Sequence, residues 1–204
     1  MRNFVKSAVA ASFALGFVMQ ATAAHAVVIV MGNGLAQNCY ETALALSLGF
    51  PPPELVYTGG LIDPKPVDVC SMALQNDQLL GRDLAGTYVN RGVLYFLTAD
   101  YDDALRDFDR AISVQEGIGE AYANRGAALV ALKRWADAAP AITKGIELGS
   151  TELEKSYYNR AIAYEELGNV KATYYDYLKA AELKPDWEQP KSQLTRFTVK
   201  RKGT

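Results

Sequence analysis

Histidine is almost absent from this chain of 204 residues, because His25 is the only one. His25 falls in an N-terminal stretch that we expect to be removed, so no Ser-His or Cys-His pair and no histidine-ligated metal site would remain. No glycine-rich stretch carries the lysine of a phosphate-binding loop. The run DYDD at Asp100–Asp103 lacks the glycine and the closing glutamate of an EF-hand. We therefore predict no catalytic residue, no metal and no cofactor, with carboxylate chemistry as the one enzymatic alternative.

An excess of positive charge is also lacking, since 21 Lys and Arg residues stand against 23 Asp and Glu residues. Nucleic-acid-binding domains are usually strongly basic, so this balance argues against a nucleic-acid partner. The charge is uneven, because residues 27–84 are acidic and the C-terminal end, which finishes KRKGT, is basic. We interpret the basic end as a solvated tail, with contact to an acidic partner or an anionic lipid as the alternative.

No uninterrupted apolar run reaches the length of about 20 residues that a membrane-spanning helix needs. A short basic head precedes the apolar run Ala8–Met19, and Ala24–Ala26 is an A-x-A cleavage signature. This order is typical of a secretory signal peptide over residues 1–26, cleaved after Ala26. We expect an exported bacterial protein, periplasmic or secreted, with no membrane span in the mature chain. An uncleaved membrane anchor is the alternative.

Cysteine is nearly as rare as histidine, with Cys39 and Cys70 as the whole set. Both lie after the predicted cleavage site, and an even number of cysteines in an exported protein favours a disulfide. We predict a Cys39–Cys70 disulfide, with a pair of reduced, buried cysteines as the alternative.

What the chain does contain is an internal repeat. The motifs are YVNRG at Tyr88–Gly92, YANRG at Tyr122–Gly126 and YYNRA at Tyr157–Ala161, which begin 34 and then 35 residues apart. A period of this length is typical of solenoid proteins, in which each unit buries its apolar face against the next unit.

Each unit has the spacing of two helices. In the first unit Tyr88, Gly92 and Tyr95 are four and then three residues apart, which places them on one face of a helix. Ala104 and Phe108 begin the same spacing in a second helix, after a short polar turn. The unit is therefore predicted to be a helical hairpin in which small residues let the two helices approach.

The large–small–large pattern followed by small–aromatic–small resembles the tetratricopeptide repeat, a helix–turn–helix family with a period of 34 residues. Three repeats are indicated, at 85–118, 119–153 and 154–187, and the closing proline of the family is matched only by Pro185. The resemblance implies an all-α fold, a right-handed superhelical stack of hairpins. Residues 188–204 would add a capping helix and a basic tail.

The stretch 27–84 is interpreted as a degenerate hairpin of the same kind. Its helices would be Asn38–Leu48 and the segment VDVCSMALQNDQLL, joined by a proline-rich loop at 51–66. In the family, small residues of the two helices pack against each other, and counting back 34 residues from Ala104 reaches Cys70. We therefore expect the disulfide to replace a small-on-small contact.

The resemblance also implies a binding surface, because the first helix of each tetratricopeptide repeat lines a concave groove that binds peptides. The groove positions are mostly apolar, apart from one asparagine in each unit and one glutamate. They are Val89, Asn90, Val93, Phe96, Ala123, Asn124, Ala127, Val130, Tyr158, Asn159, Ile162 and Glu165.

Some members of the family hold a C-terminal carboxylate with basic and amide groups. Asn124 and Lys155 match two of those positions, but Val89 and Val93 stand where a basic residue and an amide are needed. A carboxylate clamp is therefore not expected. Two roles stay open for the asparagines, which either bond to backbone groups of neighbouring helices or hold the backbone of a bound peptide.

We predict a non-enzymatic protein–protein interaction module of the cell envelope, which binds a peptide or helical segment of a partner protein in this groove. An apolar groove needs a cover, and the cover is either such a partner or the chain's own loop at 51–66. The alternative function is a structural scaffold that assembles weakly through end-to-end contacts between its acidic and basic ends.

Overall fold

A computed structural model describes residues 3–6, 27–30, 34–50 and 65–200. Its elements are, in chain order, β1 Asn3–Lys6, α1 Leu35–Ser47, α2 Pro66–Asn76, α3 Gly81–Leu97, α4 Tyr101–Val114, α5 Gly119–Ala131, α6 Trp135–Glu147, α7 Leu153–Glu166, α8 Val170–Leu183, α9 Glu188–Leu194 and β2 Phe197–Lys200. Successive helices pair as the hairpins α1–α2, α3–α4, α5–α6 and α7–α8, and each hairpin packs against the next. The predicted all-α stack of helical hairpins is confirmed.

Glycines on the first helices allow close packing inside the repeats. A Cβ built on Gly92 would lie 2.5 Å from the ring of Phe108, and one built on Gly126 would lie 2.2 Å from the side chain of Ile142. Phe108 and Ile142 are both fully buried. Because the glycine has no side chain, it leaves a space on α3 that Phe108 of α4 fills, and a space on α5 that Ile142 of α6 fills.

The turns inside the three repeats share one backbone geometry. Ala99, Lys133 and Gly168 follow the ends of α3, α5 and α7 with φ angles of 64°, 59° and 75°, in the left-handed region. In the first turn the N–H of Asp100 donates to the carbonyl oxygen of Tyr95 at 2.9 Å. This is the common way to satisfy the last carbonyl groups of a helix and reverse the chain.

The stretch before the repeats contains the predicted degenerate hairpin, formed by α1 and α2. Cys39 and Cys70 are joined by the predicted disulfide, with their Cα atoms 4.7 Å apart, and both residues are fully buried. Residues 51–64 of the proline-rich loop lie outside the described residues. The prediction that this loop covers the groove therefore concerns residues that the structure does not describe. The predicted signal peptide lies outside them too, except for β1.

Cys70 does not hold the position that we predicted for it. Its neighbour Ser71 accepts a hydrogen bond from Arg91 at 3.0 Å, just as Thr143 accepts one from Arg160 at 3.0 Å. Cys70 therefore corresponds to the large residue before Thr143, and the expected small-on-small contact is wrong. The count of 34 misses because α3 has 17 residues against 13 in α5, which adds about one helical turn between the hairpins.

The C-terminal end differs from the expected helix and tail. The capping helix α9 is short, at Glu188–Leu194, and Phe197–Lys200 is a strand that pairs antiparallel with Asn3–Lys6. The ring of Phe197 also lies 5.8 Å from that of Tyr174 on α8. The segment FTVK favours a strand because aromatic and β-branched residues have high β-propensity, a preference that outweighs continuation of the helix.

Candidate peptide-binding groove

The predicted groove positions lie on α3, α5 and α7, the first helices of the three repeats. All of them except Phe96 and Glu165 are buried. The groove is therefore not the open apolar surface that we expected, because its side chains are already covered. On α3 the covering group is a segment of the chain itself.

The segment Val27–Val30 lies against α3, where the side chain of Asn90 holds its backbone. The N–H of Val28 donates to Oδ1 of Asn90 at 2.8 Å, and Nδ2 of Asn90 donates to the carbonyl oxygen of Val28 at 2.9 Å. Both residues are buried, with 2% of Val28 and none of Asn90 exposed. One amide thus satisfies both polar groups of a peptide unit, which is how an asparagine would hold a bound peptide.

The side chains of this segment alternate between the protein interior and the solvent. Val28 and Val30 are buried, whereas 56% of Ile29 is exposed, as expected for extended backbone with a period of two residues. Val28 belongs to the core of the repeats, and Val30 packs with Ala36 and Ala73 of the N-terminal hairpin. The segment therefore links the hairpin α1–α2 to the first repeat.

Gly86, one turn before Asn90 on α3, makes room for the segment. A Cβ on Gly86 would lie 2.9 Å from Cγ1 of Val28 and 3.2 Å from Cγ2 of Val30, closer than ordinary van der Waals contact. The second and third repeats have a glutamate and a lysine at the equivalent positions, Glu120 and Lys155. Space for a closely packed extended chain is therefore a property of the first repeat. Sequence reasoning missed both this glycine and the segment.

In the third repeat two predicted groove residues hold the C-terminal end of the chain. The ring of Tyr158 lies 4.8 Å from Trp187 and 5.4 Å from Tyr177. Glu165 accepts hydrogen bonds from the Tyr177 hydroxyl, at 3.1 Å, and from Arg196. Burial raises the pKa of Tyr158 and of Tyr177, so both hydroxyl groups stay protonated. These contacts fix α8 and the chain after α9 against α7.

The arginines of the repeated motif are structural in the first and third repeats. Arg91 donates to both carboxylate oxygens of Asp107, at 2.6 and 2.8 Å, and Arg160 does the same to Asp176 at 2.7 and 2.8 Å. Burial alone would lower the pKa of Arg91, but the hydrogen bond and the negative charge of Asp107 raise it. The bonds to Ser71 and Thr143 then join each of these arginines to the preceding hairpin.

The second repeat departs from this arrangement. Arg125 bonds to Asp109 of the preceding hairpin at 2.6 Å, and 58% of that aspartate side chain is exposed. The residue that corresponds to Asp107 is Ala141, so the second repeat has no carboxylate of its own at this position. The arginine of the motif therefore pairs with a buried aspartate in the first and third repeats and with a solvent-exposed aspartate in the second.

With this geometry in place, comparison with known proteins identifies the first repeat. The family model of the tetratricopeptide repeat matches residues 85–117, which comprise most of α3, all of α4 and the turn that follows. This chain therefore contains a segment that matches the tetratricopeptide repeat. The matched segment lies within the predicted first repeat, 85–118.

Two curated relatives are matched over less than half of the length of this chain. It is 32% identical to mouse serine/threonine-protein phosphatase 5 over 92 residues, which are 45% of this chain and 18% of the phosphatase. It is 32% identical to the rat mitochondrial import receptor subunit TOM70 over 99 residues, 46% of this chain and 16% of the receptor. The chain thus spans less than a fifth of each of these relatives.

Solved structures show the same fold. The first TPR of Spaghetti (RPAP3) bound to the HSP90 peptide SRMEEVD superposes with a TM-score of 0.52 at 23% identity, covering 55% of this chain and 88% of that one. The crystal structure of MamA gives a TM-score of 0.56 at 19% identity, covering 63% and 72%. At these identities the likeness concerns the fold alone.

The positions of a carboxylate clamp are occupied here by groups of another kind. Val89 and Val93 are buried apolar side chains, and the ammonium group of Lys155 pairs with Glu152 at 2.6 Å. Within the described ranges, no three His, Cys, Asp or Glu side chains lie close enough to hold a metal ion. The arrangement is suited to holding apolar side chains and peptide backbone.

Proposed function

We propose that this protein is a non-enzymatic interaction module that binds an extended segment of a partner protein along the inner faces of α3, α5 and α7. The contact between Asn90 and Val28 carries the proposal, because it holds backbone and not a particular side chain. Asparagine recurs at the same position in the next two repeats: Asn124 lies 34 residues after Asn90, and Asn159 lies 35 residues after Asn124. Asn124 and Asn159 are buried and have contacts of their own, so a longer segment meets one such amide in each repeat only by displacing those contacts.

Aliphatic side chains are the partner chemistry that fits this surface. Ala127, Val130 and Ile162 lie beside the asparagines on α5 and α7. They are uncharged but buried, so a ligand reaches them only by displacing the groups that cover them. The structure of RPAP3 bound to the HSP90 peptide supports peptide binding by this fold. Because Val89 and Val93 replace the polar groups of a carboxylate clamp, we infer an internal apolar segment of the partner as the ligand, not a free acidic C-terminus.

We place this activity in the cell envelope of a bacterium. The support is the signal-peptide pattern of residues 1–26 together with the buried Cys39–Cys70 disulfide, which persists in an oxidising compartment. Across the ranges that the structure describes, none of the helices combines the length and the hydrophobicity that crossing a bilayer requires.

Photo-crosslinking in cells that produce the full chain tests the proposal. p-Benzoylphenylalanine replaces Phe96, a half-buried groove residue, in one variant and Tyr175, an exposed residue of α8, in a matched control. Both changes exchange one aromatic side chain for another. We expect a discrete adduct from position 96 whose crosslinked peptide is an apolar segment of another protein, and no such adduct from position 175.

Two outcomes contradict the proposal. One is that discrete adducts form only from position 175. The other is that both positions crosslink to further copies of this chain, which would support the scaffold that assembles through contacts between its ends.

A further inference from the structure

Gly86 and Asn90 together form what we call the α3 subsite, and the chain's own Val27–Val30 occupies it. We propose that this segment is an internal competitor, so that a partner reaches the first repeat only by displacing it. A competing partner must then offer the same chemistry, an extended segment with two aliphatic side chains two residues apart. This inference rests on the proposed function and names the ligand that its first repeat accepts.

The geometry of the α3 subsite restricts what it can hold. Val28 and Val30 are buried side by side over Gly86, while Ile29 between them is exposed, so only alternate side chains are recognised. The gap from the Gly86 Cβ position to Val28 is 2.9 Å, which leaves no spare room. β-Branched residues favour extended backbone, so valine and isoleucine suit both the space and the conformation.

The way in which the segment is attached suggests that it can be exchanged. In the described structure it is anchored by one asparagine amide, two buried valines and the partly buried Val27, with no disulfide or ion pair. It also directly follows the predicted cleavage site after Ala26, so in a cleaved chain it would be the first segment of the protein. A segment at a chain end can leave its site without the movement of a second connection.

The competing explanation is a permanent strap, since Val30 also packs with Ala36 and Ala73 of the N-terminal hairpin. A strap and a competitor differ in one measurable respect. If the segment is exchangeable, the vacated subsite binds the same sequence when it is offered as a separate peptide. A strap that is part of the core is not replaced in this way.

The probe is a fluorescein-labelled synthetic peptide with the sequence of residues 26–32, AVVIVMG, and the readout is fluorescence anisotropy. The double variant Val28→Asp/Val30→Asp expels the internal segment without changing α3. We expect this variant to bind the peptide at least tenfold more tightly than the wild-type full chain. Ile29→Asp is the matched control, because Ile29 is exposed, and its affinity should equal that of the wild type.

Gly86→Ala, added to the double variant, should weaken peptide binding at least tenfold, because the new Cβ fills the space of the first valine. The peptide AVDIDMG should not bind any of the proteins. Equal affinity of the wild type and the double variant, or no effect of Gly86→Ala, would overturn the proposal.

A second measurement on the wild-type chain covers the case in which the double variant does not fold. Saturating unlabelled AVVIVMG should raise amide hydrogen exchange across Val27–Val30 about tenfold and leave α5 unchanged. Unchanged exchange in the segment identifies a permanent strap and overturns the competitor. Photo-crosslinks from Phe96 to an apolar segment of a partner would then still support the proposed function, so the two failures are distinguishable.

Discussion

The arginine of the repeated motif meets a buried aspartate in two repeats and an exposed one in the second, and this difference predicts its contribution to stability. The side chains of Arg160 and Asp176 are 15% and 9% exposed, whereas those of Arg125 and Asp109 are 30% and 58% exposed. Removing one partner of a buried ion pair leaves an uncompensated charge and costs about 3–5 kcal/mol. An exposed pair contributes about 0–1 kcal/mol.

We therefore expect Arg160→Ala to lower the free energy of unfolding by about 3–5 kcal/mol and Arg125→Ala by about 1 kcal/mol or less. Urea denaturation followed by circular dichroism measures both variants. The two arginines occupy equivalent positions in their repeats, so each is the other's control. Similar losses in the two variants would show that the buried contacts of Arg160 do not decide its role.

Tyr177 predicts a pH dependence. Burial raises the pKa of its hydroxyl group well above the ordinary value of about 10. Above that pH the unfolded chain loses a proton that the folded chain keeps, so the free energy of unfolding falls as the pH rises. Tyr177→Phe should make the fall between about pH 9.5 and 11 shallower.

Thermal or urea unfolding across this pH range measures the slope for Tyr177→Phe. Tyr175→Phe, at an exposed position on the same helix, is the control and should keep the wild-type slope. Equal slopes for the wild type and Tyr177→Phe would argue that Tyr177 does not cause the loss of stability at alkaline pH.

Single residues also show where sequence reasoning ends. The pattern of Tyr88 and Gly92 could be predicted because packing distances follow from helical periodicity. The partner of Asn90 could not, since an amide binds any peptide backbone and the sequence does not say which one is near. The one available hint was that Gly86 replaces the charged residues found at the same place in the other repeats.

At the level of elements, the turns between the paired helices provide a stability prediction. Lys133 adopts φ 59° and Gly168 adopts φ 75° at equivalent positions. A left-handed conformation is costly for residues with a Cβ and nearly free for glycine. Lys133→Gly should therefore stabilise the protein by about 0.5–1 kcal/mol, and Gly168→Ala should destabilise it by about 1 kcal/mol.

Differential scanning calorimetry of the two variants measures these opposite shifts. The matched control is Lys144→Gly in the last turn of α6, which should destabilise because glycine weakens a helix. If Lys133→Gly lowers the melting temperature as Lys144→Gly does, the left-handed strain at Lys133 is not relieved by glycine.

The helices could be predicted better than their register. The hairpins of the three repeats were indicated by the period of small and large residues. In the degenerate hairpin, α1 was indicated by its helical composition and α2 by the repeat phase. The predicted position of Cys70 within its repeat was wrong by about one helical turn. The spacing of apolar residues does not show that α3 is longer than the other first helices. The β1–β2 pairing joins the two ends of the chain, a contact that local propensity cannot reveal.

On the scale of the whole molecule, the stack carries repeated amides on the inner faces of α3, α5 and α7, and the first of them holds the backbone of Val28. The sequence could place Asn90, Asn124 and Asn159 on one surface, but it could not show that Val27–Val30 covers part of that surface. The cover comes from 62 residues away along the chain, and no periodicity connects it with α3.

The central claim is that asparagines on the inner face hold the backbone of an extended partner, and one titration tests it most directly. The apolar segment captured from position 96 is synthesised with a fluorescent label, and its affinity is measured for the wild type, Asn124→Ala and Asn76→Ala. Asn76 lies on the exposed surface of α2 and is the matched control. Loss of two hydrogen bonds of about 0.5–1.5 kcal/mol each predicts roughly tenfold weaker binding for Asn124→Ala. Wild-type affinity in Asn124→Ala, with its fold intact by circular dichroism, would contradict the account.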